Sequence, residues 1–117
     1  MAYSDNDINQ VGERFVERPI IRTITGTADT PTIADVDAFL ICTNASAIAI
    51  TLPLASAVPF PIGTVITVYA GGAGTITVAK TGSDVLNGTA TAATTTARRF
   101  IKTGQTAAGV STWYGYI

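Results

Sequence analysis

From Ile20 onward, apolar and polar positions alternate with a period of two, and Pro, Gly and Asn cut the alternation into short pieces. Successive side chains of a strand point to opposite faces, so this period predicts strands with one well-buried face. Ile20 to Thr25 is the first, followed by a turn-rich section with Gly26, Asp29 and Pro31. Phe39 to Thr43 is a nearly continuous apolar run, the pattern of a strand covered on both faces. Asn44-Ala45-Ser46 predicts a tight reversal into Ala47 to Leu52, where Ile48, Ile50 and Leu52 share a face, and Pro53 ends that strand because it cannot donate to a ladder. The proline-bearing segment Ala55 to Gly63 is a loop. Thr64 to Ala70 and Thr75 to Lys80 predict a hairpin through the turn Gly71 to Gly74, with Ile66, Val68, Ile76 and Val78 together in the core. Asp84 to Asn87 is a short strand ending at the Asn87-Gly88 turn, and Arg98 to Thr103 and Ser111 to Ile117 complete the sheet.

No segment carries a helical apolar stripe, and Thr and other β-branched residues favour a pleated surface. The expected fold is all-β: a single small antiparallel sandwich or barrel-like domain of about eight strands over residues 20–117. No internal repeat is legible. Residues 1–19 differ in kind, being polar with spaced apolar anchors at Ile8, Val11, Phe15 and Val16. They predict an extended N-terminal arm that orders on a partner.

Charge changes the picture most. Only 13 % of the 117 residues are charged, against roughly 25 % in an average soluble domain, and Ala38 to Ala79 contains no Asp, Glu, Lys or Arg. The net charge of -1 leaves little self-repulsion, and strands without charged guards recruit neighbours through their unpaired backbone groups. The expectation is an oligomer with a structural or assembly role.

Candidate chemistry is sparse. The chain has no His, which excludes Ser-His-Asp and Cys-His arrangements. The i, i+2 carboxylate pairs Asp5/Asp7 and Asp35/Asp37 have a spacing that Ca²⁺ or glycoside chemistry could use. The first lies in the arm, however, and the second precedes a buried strand, where Asp makes side-chain turns. Gly71 to Gly74 lacks the following helix and the Lys-Ser/Thr pair of a phosphate loop. Cys42 is alone and flanked by apolar residues, a small buried hydrophobe without a disulfide partner. Arg98, Arg99 and Lys102 fall short of the basic stripe that nucleic acid requires. The uncharged stretch is broken by Pro53, Pro59, Pro61 and several glycines, so no membrane span is expected, and the N-terminus lacks the basic start and apolar run of an export signal. The sequons at Asn44 and Asn87 read as turns. No metal or cofactor site is predicted. Trp113 alternating with Tyr114 and Tyr116 predicts a strand with core on one face and an interface on the other.

The residue order carries a resemblance. Ile50 to Val68 reads I-T-L-P-L-A-S-A-V-P-F-P-I-G-T-V-I-T-V; a glycine-rich turn, T-I-T-V-A at Thr75 to Ala79 and D-V-L-N-G at Asp84 to Gly88 follow. Then come R-R-F-I-K-T-G from Arg98 and a terminal T-W-Y-G-Y-I from Thr112. Over about two thirds of the chain this resembles the β-modules recurrent in tailed-phage virion proteins: capsid decoration (cement) proteins, head fibres and tail-fibre pieces. The resemblance implies a homotrimeric, β-rich protein of the phage particle without enzymatic activity, cofactor, nucleic-acid partner or membrane partner. The absence of a long shaft favours a cement protein on the capsid surface of the virion, assembled in the host cytoplasm. Its arm residues Ile8, Val11, Phe15 and Val16 would then bind the major capsid protein, and Tyr69, Trp113, Tyr114 and Tyr116 would meet the other copies. The alternative is a head-fibre or tail-fibre module that binds a receptor or carbohydrate, with Tyr69, Tyr114 and Tyr116 as its platform.

Overall fold

The computed structural model describes residues 20–116. They form two sheets from ten strands and one 3-10 turn, with no α-helix among the described residues. The chain does not double back within a sheet at first. β1 (Ile21–Ile24) lies in one sheet and β2 (Ala28–Asp29) in the other; β3 (Phe39–Cys42) returns to the first and β4 (Ile48–Thr51) to the second; β5 (Val65–Ala70) and β6 (Ile76–Ala79) repeat the move. Each pair is one coil, and successive coils stack in parallel: β1 on β3 on β5, and β2 on β4 on β6. The crossing to the opposite sheet takes the place of the helix that usually returns a chain for parallel pairing.

The last four strands close this coil. β8 (Thr91–Ala92) pairs antiparallel with β6, β9 (Ala97–Gln105) antiparallel with β5, and β10 (Ser111–Tyr116) antiparallel with β9. β7 (Val85–Gly88) lies parallel to β10 at the far edge. The sheets are therefore β1-β3-β5-β9-β10-β7 and β2-β4-β6-β8.

The all-β expectation holds, with ten strands in place of about eight. The antiparallel expectation is corrected, since antiparallel pairing is confined to the closing strands. The predicted hairpin at Gly71 to Gly74 is corrected too: β5 and β6 belong to different sheets, and the glycines make a corner between them. The Asn44 to Ser46 turn is likewise a crossing.

Corners of successive coils lie against one another. Gly74 N donates to Asn44 O at 3.0 Å, and Asn44 Nδ2 reaches the coil before to bond Thr25 O at 2.9 Å. A Cβ on Gly72 would collide with the carbonyl of Thr43, and one on Gly74 with that of Ser46. Glycine is needed there by close backbone approach.

The core lies between the sheets. Leu40, Cys42, Ile66, Val68, Ala70, Phe100 and Trp113 point inward from one sheet, and Ile48, Ile50, Ile76, Val78 and Ala92 from the other. Ile66, Val68, Ile76 and Val78 do meet in the core, across facing sheets. Fully burying one such aliphatic side chain stabilises by about 1.5–3 kcal/mol.

The first coil departs from this pattern. Arg22 stands at the ladder position of Leu40 and Val68, and Asp29 at that of Ile50 and Val78. They pair bidentately across the end of the core, at 3.0 Å and 2.6 Å, and Asp35 of the 3-10 turn Ile33–Asp35 takes the Arg22 Nε–H at 3.0 Å. An ion triad closes the core where the stack of coils begins.

The corner contacts give a direct expectation. Gly74→Ala should lower stability by about 1–3 kcal/mol, the usual cost of forcing extra volume into a packed site. Gly26→Ala, whose added Cβ meets nothing within 4 Å, should change it by less than about 0.5 kcal/mol. Urea unfolding midpoints of the two variants check the contrast.

Candidate assembly surface

Alternation along the strands of the six-stranded sheet gives it an outer face of unusual composition. Register sets its rows. Ile21, Phe39, Thr67, Arg99 and Tyr116 lie side by side; Thr23, Ile41, Tyr69 and Ala97 form the next row; Val65, Ile101, Tyr114 and Asn87 form another. Phe39 and Tyr69 have ring centroids 6.4 Å apart, and Tyr114 and Tyr116 stack at 6.5 Å with planes inclined by 25°. Ile21 is 67 % exposed and Tyr114 47 %. Arg99 is the one charged side chain on this face among the described residues.

The face is large enough to matter. Six strands at about 4.8 Å spacing, each about five residues long at about 3.3 Å per residue, cover roughly 450 Å² in projection. The largest apolar patch on a typical monomer is itself about 300–600 Å² and often functional, and one partner of a standard interface contributes about 800 Å² of accessible surface. The outer face of the other sheet is different. Its rows are Ala28, Ala49, Thr77, Thr91 and Thr51, Ala79, small side chains without a charge.

Of the residues expected at an interface between copies, Tyr69, Tyr114 and Tyr116 share this outer face. Trp113 does not: it points inward, is 1 % exposed and packs edge-on against Phe60 with centroids 5.9 Å apart. Its place in the strand alternation puts it opposite the two tyrosines, so it is a core residue. The arm anchors Ile8, Val11, Phe15 and Val16 lie outside the described residues, as do Asp5 and Asp7.

The other candidates resolve into structure. Asp35 and Asp37 do not converge, because the 3-10 turn carries Asp35 into the Arg22 triad while Asp37, at φ 57°, accepts from Val65 N at 2.9 Å. Hydrogen bonding to Asp29 is the main cause that raises the Arg22 pKa, with Asp35 adding to it against the cost of burial. A depression of about 390 Å³ beside this triad is lined by Ile20, Thr30, Thr32 and Ala34 as well as the ions, and both of its carboxylates are held by Arg22. Cys42 is buried, and desolvation pushes its thiol pKa up, away from reactivity.

The three cations of β9 do not act together. Arg99 faces out, Arg98 Nε bonds Thr91 O at 3.0 Å and so ties the two sheets, and Lys102 is buried. Lys102 Nζ donates to Phe60 O at 2.7 Å and Gln105 Oε1 at 2.6 Å. Sequence reasoning missed this inward lysine, although its spacing from Phe100 places both on one face. No protein-family model matches the chain, and neither does any curated protein or solved structure.

Burial lowers the Lys102 pKa, with Asp84 opposing the shift. Between that lowered value and the ordinary 10.5 the unfolded chain holds a proton that the folded chain has lost, so stability rises with pH through this window. Lys102→Met should remove that alkaline rise. Urea midpoints of both proteins, followed from neutral pH up to 10.5, measure it.

Proposed function

We propose that this chain is a non-enzymatic capsid decoration protein of a tailed phage, trimeric through the outer face of its six-stranded sheet. The observation that carries the reading is that face: a continuous surface of Ile21, Phe39, Ile41, Tyr69, Ile101 and Tyr114 around one cation. Three flat sheets around a threefold axis form a triangular prism in which each covers part of the other two. Arg99 fits such a surface, because a guanidinium can lie on the aromatic ring of a neighbouring copy. The resemblance of Ala38 to Ile117 to virion β-modules supports the phage setting, and the shortage of charge supports permanent assembly.

In this reading residues 1–19 supply the contacts to the major capsid protein. Several arms acting together hold adjacent capsid subunits more firmly than any one arm could. The stacked pair Tyr114 and Tyr116 favours a second reading, a fibre module binding carbohydrate on an aromatic platform.

Ile41→Glu and Tyr114→Glu should each convert trimer to monomer in sedimentation equilibrium, while Thr77→Glu on the other sheet leaves the trimer intact. A wild-type monomer at micromolar concentration, or dissociation by Thr77→Glu alone, contradicts the assignment of the face. Deleting residues 2–18 should abolish binding to undecorated capsids without dissolving trimers, and capsid saturation at unchanged affinity contradicts the role of the arm. Glycan binding that is lost on Tyr114→Ala would favour the second reading.

A further inference from the structure

One end of the core is polar, and its side chains are incompletely paired. Thr64 faces Lys102 across β5 and β9, since Lys102 N donates to Thr64 O at 2.9 Å and Gly63 N to Lys102 O at 2.8 Å. Lys102 is the ladder partner of Trp113. Ser111, two residues before Trp113 on the same inward face, donates its backbone N–H to Asp84 Oδ1 at 2.9 Å. Thr64, Asp84, Lys102, Ser111 and Trp113 are each at most 3 % exposed. Yet Thr64 Oγ1, Asp84 Oδ2, Ser111 Oγ and Trp113 Nε1 have no protein partner, and Lys102 Nζ uses two of its three N–H groups. Buried polar groups are rarely left so, and five open valences in two adjoining rows are a cluster.

We propose that this cluster is a binding site for internal water, seated among Asp84, Lys102, Ser111 and Trp113. The mix of valences selects the ligand. Trp113 Nε1–H and the third Lys102 N–H can only donate, Asp84 Oδ2 can only accept while ionised, and the two hydroxyls do either. A cation would be repelled by Lys102 and an anion by Asp84. Water accepts from the first two and donates to the third, with the two to four polar partners that a retained internal water has. A surface depression of about 340 Å³, lined by Leu54, Ser83, Asp84 and Val110 among others, lies against Asp84. The bound water would then add to the side-chain link, Ser111 N to Asp84 Oδ1, that joins β10 to the segment before β7.

Trp113 is the only tryptophan, so its indole N–H gives one unmistakable signal in the full-length ¹⁵N-labelled protein. The expected result is a cross-peak between that proton and water, with the NOE sign of a molecule tumbling with the protein. A crystal structure of the full chain should show a solvent peak within hydrogen-bond distance of Trp113 Nε1 and of Asp84 Oδ2 or Lys102 Nζ. Absence of the cross-peak, or direct bonding of Nε1 to a protein oxygen without a solvent peak, overturns the proposal.

Discussion

Everything in this fold depends on corners that let one coil pass within a strand spacing of the coil before. A chain that changes sheet at every step from β1 to β6 can stack its coils only if the crossings approach as closely as the strands do, about 4.8 Å. Side chains cannot stand between them. Asn44 links all three coils: its Nδ2 bonds Thr25 O, its backbone oxygen accepts from Gly74 N, and its Oδ1 accepts from Ser46 N at 2.8 Å. Asn-to-backbone bonding and side-chain-free glycine solve the same steric problem from opposite sides. Once the corners stack, the register of the strands follows, and with it the columns that place Leu40 beside Val68 inside and Ile41 beside Tyr69 outside.

In-register stacking has to be stopped at both limits of the core, and polar groups are found at each. At the first coil Arg22 and Asp29 occupy positions that hold aliphatic side chains in the next two coils, and they satisfy one another with Asp35. A buried ion pair adds little net stability over apolar packing, but it penalises any register that would leave one of its charges alone. At the other limit Lys102 is drawn in beneath the loop that carries Phe60, and Asp84 is buried against Ser111. The antiparallel strands β8 and β9 end the coil growth on both sheets. No element of the described chain covers the outer face of the six-stranded sheet, which carries Ile21, Val85 and Tyr114 among the exposed large apolar side chains.

Strand positions were legible because period two is a local property, and Ile48, Ile50, Ile66, Val68, Ile76 and Val78 all face the core as the alternation requires. The connections were not legible. Gly71 to Gly74 suits a hairpin as well as a crossing, since both demand backbone without side chains, and only the neighbouring corner at Thr43 to Ser46 distinguishes them. The repeat was hidden by unequal coil lengths: eighteen residues separate Ile21 from its partner Phe39, but twenty-eight separate Phe39 from Thr67. For the candidate surface, alternation separated Trp113 from Tyr114 and Tyr116 but did not say which side was buried. The inward turn of Lys102 was available from its spacing to Phe100, and weighing Arg98, Arg99 and Lys102 together as a basic stripe concealed it.

The most direct test of the stacked-coil account is the pattern of backbone NOEs in the isotope-labelled protein. The account predicts parallel cross-strand contacts joining Phe39–Cys42 to Thr67–Ala70 and Ile48–Thr51 to Ile76–Ala79. Close α-proton contacts between Val65–Ala70 and Ile76–Ala79, as a hairpin through Gly71 to Gly74 would give, would contradict it.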